Sequence, residues 1–128
     1  MVFAALNRDE RHHQRCVELL ASRSPVVLPA PVITETTMLS RSRDRPQAVD
    51  ALLRSVVDGT VAVVELELAD YSRARQLVAQ YADLGLSFVD AAVVAIAERF
   101  EETTIATLDH RHFSVVKPLH CEAFTLVP

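Results

Sequence analysis

The sequence predicts a three-layer α/β/α domain with a mostly parallel central sheet, and three observations carry that expectation. Short runs rich in Val, Ile and Thr alternate with longer amphipathic stretches, the pattern of strands joined by crossover helices. Half of the 128 residues are hydrophobic and only two are glycine, which favours a compact, helix-rich chain over a disordered one. A late segment, 91–97, is apolar on every side, as a helix between two layers must be.

In chain order, Cys16, Leu19 and Leu20 mark the apolar side of a helix from Arg11 to about Ala21. Pro25–Ala30 (PVVLPA) reads as a short buried strand bounded by prolines. A helix is expected over Pro31–Ser40, with Pro31 acceptable in its first turn, and then a polar stretch over Arg41–Arg45. From Pro46 a further helix aligns Val49, Leu52, Leu53, Val56 and Val57 on one face, and Asp58-Gly59 stops it. Val61–Leu66 is the next strand. Asp70–Leu84 carries the stripe Ala74, Leu77, Val78 and Tyr81 and ends at Gly85. Phe88–Phe100 is the all-apolar helix, and Thr103–Leu108 and Ala123–Val127 are the last strands. No internal repeat or second domain is visible, so residues 1–128 are expected to form one domain.

Composition excludes several classes of function. No apolar run approaches the ~20 residues of a membrane span, and no leader pattern opens the chain, so a soluble, cytoplasmic protein is expected. Cys16 and Cys121 have neither metal-ligand spacing nor the density of a disulfide scaffold and read as free thiols. The formal net charge of −4 gives no global attraction for polyanions. Contacts to nucleic acid would have to come from local arginines, and all the basic residues but Lys117 are Arg.

Ligands of such sheets collect at the carboxyl ends of the strands. Three acids are expected there: Glu35 in VITETTML, Asp90 in LSFVDAAVV, and Asp109 just after TTIATL. Carboxylates gathered at one edge repel one another unless a cation joins them, and oxygen-only ligands suit Mg²⁺ or Mn²⁺. Such an ion can activate water and neutralise charge on a phosphodiester. Each acid also has a structural reading. Asp90 can close a capping box with Ser87, Asp109 can cap a turn, and Glu35 can be a solvated helix residue.

The order ITE, then Gly-Leu-Ser-x-x-Asp-Ala, then Ala-Thr-Leu-Asp-x-x-x-Phe, then a terminal Thr-Leu-Val-Pro resembles the PIN domain. It is similar in particular to the ribonuclease toxins of VapBC toxin–antitoxin modules, over essentially the whole chain, including the entry Asn7–His13. The resemblance implies a metal-dependent endoribonuclease, with Glu35, Asp90 and Asp109 as three of four metal-site acids. Thr107 falls where the family often has Thr or Ser, and its hydroxyl would orient a carboxylate or a metal-bound water. The implied partners are RNA as substrate, a second copy of the chain, and a cognate antitoxin, a small DNA-binding protein with an inhibitory C-terminal segment. The fourth acid of the family ends a first central strand, whereas MVFAAL matches the helix that follows it. The first strand and its Asp are therefore expected to be missing, and a catalytically inactive interaction module of the same fold is the alternative function.

Other candidates are weaker. His110 and His112 form an HxH beside Asp109, and His12-His13 follow Glu10, but zinc needs further N or S ligands to close a site. His112 is expected to be half-buried or a phosphate contact. Arg41, Arg43 and Arg45 are candidate phosphate grips or simply solvated. Phe3, Leu6, Val32 and Met38 could face a partner helix, with core packing as the default.

Overall fold

The computed structural model describes residues 13–22 and 26–128, without the side chains of His13, Cys16 and Leu20. The expected helix over Met1–Leu6, the entry Asn7–His12, and the placement of the Cys16 side chain lie outside the described residues. The chain divides into two compact units, Met1–Val64 with Pro128 and Glu65–Val127.

In the first unit, helix α1 (His13–Ser22) precedes strand β1 (Val26–Pro29), helix α2 (Ala30–Ser42), helix α3 (Pro46–Val57) and strand β2 (Val61–Val64). Strand β1 pairs with β2 in parallel, Val26 opposite Val61 and Pro29 opposite Val64, with two helices forming the crossover. Prolines sit in the first turns of α2 and α3, where the missing N–H has no helical partner to lose. Gly59, at φ 82°, takes the left-handed turn that ends α3, as Asp58-Gly59 predicts. Asp58 then fastens the turn, accepting from the Thr60 amide at 2.9 Å and its hydroxyl at 2.6 Å. Leu28, Leu52 and Val61 are the buried core, with Val32, Ile33 and Val56 against them.

The second unit contains helix α4 (Leu68–Gln80), a 3₁₀ turn (Ala82–Leu84), helix α5 (Phe88–Arg99), strand β3 (Thr104–Ala106), the short helix α6 (His110–Phe113) and strand β4 (Thr125–Val127). Helix α4 opens with a reciprocal box in which Glu67 is the cap and Asp70 returns a bond to the Glu67 amide at 2.8 Å. Gly85, at φ 72°, turns the chain toward α5. Ala91, Ala92, Val94, Ala95, Ile96 and Ala97 are buried and Val93 is half-buried, in keeping with a stretch apolar on every side. Ala74, Leu77, Leu86, Ala91, Val94, Ile105, Phe113 and Phe124 belong to one core that joins α4, α5, β3 and the loop before β4. Strands β3 and β4 are parallel, Thr104 opposite Thr125 and Ala106 opposite Val127.

Charged groups bolt α4 to α5. Arg73 reaches Glu98 with Nε at 2.8 Å and Nη2 at 2.9 Å, and both side chains are largely buried. That fork holds the Arg73 guanidinium pKa above its ordinary value. Glu98 also accepts from the Leu119 amide at 3.0 Å. Arg99 binds Asp70 at 3.0 Å, Glu67 at 3.1 Å and the Glu65 carbonyl at 2.9 Å.

The differences from expectation are at element ends. Every strand is shorter than its β-rich run: β2 keeps only the first four residues of 61–66 and β4 only the last three of 123–127. Helix α2 continues through Arg41 and Ser42, so the polar stretch begins at Arg43, where the chain leaves the helix. Helix α4 starts at Leu68 rather than Asp70, since Asp70 occupies its third position and not its first.

Candidate metal centre

Asp90 is the third residue of α5, and Ser87 caps that helix by accepting from the Asp90 amide at 3.0 Å. Only this half of the expected capping box forms, because the Asp90 carboxylate turns away from the cap and meets a ring nitrogen of His112 instead. The first turn of a helix favours negative charge, which suits a carboxylate at this position.

Asp109 is placed by the loop after β3. The Thr107 amide donates to the Val127 carbonyl at 2.7 Å, which extends the β3–β4 pairing past the strand end. The Thr107 side chain is buried, and its hydroxyl accepts from the Asp109 amide at 3.0 Å and donates to the Asp109 carbonyl at 3.3 Å. The hydroxyl thus holds Asp109 through its backbone, and among the described residues it bonds to no carboxylate. Asp109 itself caps α6, accepting from the Arg111 amide at 3.0 Å, so the turn-capping reading also holds.

Helix α6 has only four residues, and it carries His112 back over both acids. Nδ1 of His112 lies 2.9 Å from Asp90 Oδ2 and 3.8 Å from Asp109 Oδ2, with the His112 side chain 13% exposed. Two carboxylates 19 positions apart in sequence thus face one point, which here holds a ring nitrogen of His112. His112 is half-buried, as expected, but its bond to Asp90 was not legible. No helical period marks a four-residue turn, and the only hint was His112 three places after Asp109.

Glu35 belongs to the first unit, where it is exposed on α2 and has an interaction partner. Among the described residues, no group of three or more His, Cys, Asp or Glu side chains is disposed to hold a metal ion. What the structure assembles is the Asp90–Asp109 pair. The HxH does not act as a unit, because His110 turns its Nε2 to the Thr107 carbonyl at 3.2 Å while His112 turns to the acids. Arg41 is exposed, and Arg43 and Arg45 have partners. Val32 packs against the first core and Met38 is exposed. Cys121 is a free thiol just before β4.

The PIN-domain family profile matches residues 1–118. The chain belongs to the PIN-domain family. A curated relative, Ribonuclease VapC26 of Mycobacterium tuberculosis, is 31% identical over 126 residues, covering 98% of this chain and 92% of that protein. The crystal structure of Mycobacterium tuberculosis VapC20, described as a Sarcin-Ricin loop cleaving toxin, superimposes with a TM-score of 0.79 at 21% identity. That superposition covers 94% of this chain and 92% of VapC20. The PIN-like α/β fold class expected from the sequence is thereby borne out, as is the likeness to VapC toxins. Among the described residues of this PIN chain, no helix is long and apolar enough to cross a membrane.

Proposed function

We propose that this chain is a divalent-cation-dependent endoribonuclease, the cytoplasmic toxin of a toxin–antitoxin pair, with residues 1–128 acting as one PIN domain. Asp90, Asp109 and Glu35 are the carboxylates that would hold Mg²⁺ or Mn²⁺. The observation that carries this reading is the convergence of Asp90 and Asp109 on one point in a chain whose relatives are ribonucleases. The donor chemistry fits, since both acids offer hard oxygen ligands of the kind these cations prefer. When bound, the cation supplies Lewis-acid activation of water and neutralises charge developing on the phosphodiester.

The chain's own residues do the rest. Ser87 and the first turn of α5 fix Asp90, and Thr107 holds the Asp109 peptide, whose carboxylate lies near His112. Arg41, exposed at the end of α2, is available to a phosphate, offsetting the repulsion of a net-acidic protein. The proposed partners are RNA, a second copy of the chain, and an antitoxin whose C-terminal segment sets an arginine among the acids. The test is cleavage of a structured RNA by a nuclease-free preparation with Mg²⁺ or Mn²⁺, with chelator, and with D90N, D109N or E35Q. Cleavage should need the cation and should fall by at least about 100-fold in D90N and D109N, whose melting points stay at or above wild type. Undiminished cleavage by both variants would sink the assignment.

A further inference from the structure

The hydrogen bond between His112 and Asp90 has a defined direction. Both oxygens near His112 Nδ1, at 2.9 Å and 3.8 Å, belong to carboxylates, which accept and cannot donate when ionised. Facing two acceptors, the ring completes the bond when its Nδ1–H tautomer donates to Asp90. The bond takes Oδ2, while among the described residues Asp90 Oδ1 has no hydrogen-bond partner.

Among the described residues, one oxygen is thus held and the other left open. A carboxylate rotating freely about its terminal torsion would sample both oxygens and pay entropy to present either one. The His112 ring is itself restrained, lying in the four-residue turn that Asp109 caps and Thr107 supports. Phe113, the next residue, is buried in the core, so the turn cannot slide relative to α5 without disturbing packing.

We propose that His112 is a positioning residue for the cation site: it clamps Asp90 through Oδ2 so that Oδ1 is presented to the divalent ion. This rests on the cation-dependent reading above. The ring acts through Asp90 and does not itself ligate, since its near nitrogen is committed to the bond with Asp90. Loss of such a supporting partner typically weakens metal affinity by about 10–100-fold.

Two substitutions separate the donor from the ring's bulk. H112N keeps a donor, with its amide nitrogen able to stand where Nδ1 stands, whereas H112L keeps volume and removes the donor. The probe is Mn²⁺ alone, titrated into metal-free full-length protein and followed by the electron paramagnetic resonance signal of the free ion. H112L should bind Mn²⁺ about 10–100-fold more weakly than wild type, and H112N should recover most of that loss, at unchanged melting temperature. Long-range ¹H–¹⁵N spectra of the metal-free protein should show the His112 proton on Nδ1. Equal binding by wild type and H112L, no rescue by H112N, or a proton on Nε2 alone overturns the clamp and leaves the cation reading standing. Failure of the wild-type chain to bind Mn²⁺ at all overturns both.

Discussion

Single residues in this protein are held by short polar contacts whose consequences can be measured one at a time. Asp58 is the clearest case outside the site. Its carboxylate receives the hydroxyl and the amide of Thr60, and the hydroxyl bond is the larger cause of a pKa below the ordinary aspartate value. A carboxyl whose pKa is lower folded than unfolded stabilises the fold above its unfolded pKa. That contribution is lost as pH falls through the lower, folded value. T60A should therefore raise the Asp58 pKa in a carbon-detected NMR titration. It should also flatten the acid side of a plot of urea midpoint against pH, between roughly pH 5 and pH 2. An unchanged slope would mean that the bonds survive only in one conformer.

At the scale of elements, the α4–α5 pair is joined by apolar packing and by the Arg73–Glu98 fork. Truncating one member leaves the other charge partly buried and alone, and for a buried pair that costs about 3–5 kcal/mol. With the side chains 16% and 9% exposed, E98A should sit at the lower end, about 3 kcal/mol, in urea unfolding. A loss under about 1 kcal/mol would show that water replaces the fork readily. These elements were mostly legible beforehand. The stripe Ala74, Leu77, Val78 and the all-apolar 91–97 follow directly from helical period, and Gly59 and Gly85 mark stops by their φ values. Helix α6 was not legible, because four residues, HRHF, form a turn only when Asp109 caps it and Phe113 finds the core. The charge network was not legible either, since partners 25 and 29 positions apart, Arg73–Glu98 and Asp70–Arg99, meet only after α4 and α5 dock.

For the whole molecule, Asp90 and Asp109 each follow a boundary recognisable in the sequence, a Ser cap or a strand end, and the structure sets both beside His112. The partnership of either with His112 depends on a turn that no periodicity announces. Glu35 stays a proposal carried by family likeness, and its test belongs at this scale because it concerns assembly. An antitoxin segment that seats an arginine among the acids should bind more weakly as salt rises, and E35K should weaken it by at least about 10-fold in a competition titration. Affinity indifferent to both salt and E35K would place the inhibitory contact elsewhere.

The β3–β4 pairing has a consequence for the order in which the protein is made. A ribosome releases a chain from its amino end, and domains gain structure in that direction. The Thr107 amide that anchors the Asp109 loop takes its bond from Val127, in the latest of the described strands to be synthesised. A nascent chain therefore displays Asp109 before it can hold it in place. Prematurely terminated fragments that lack β4 should carry both acids yet leave the Asp109 loop without its anchor.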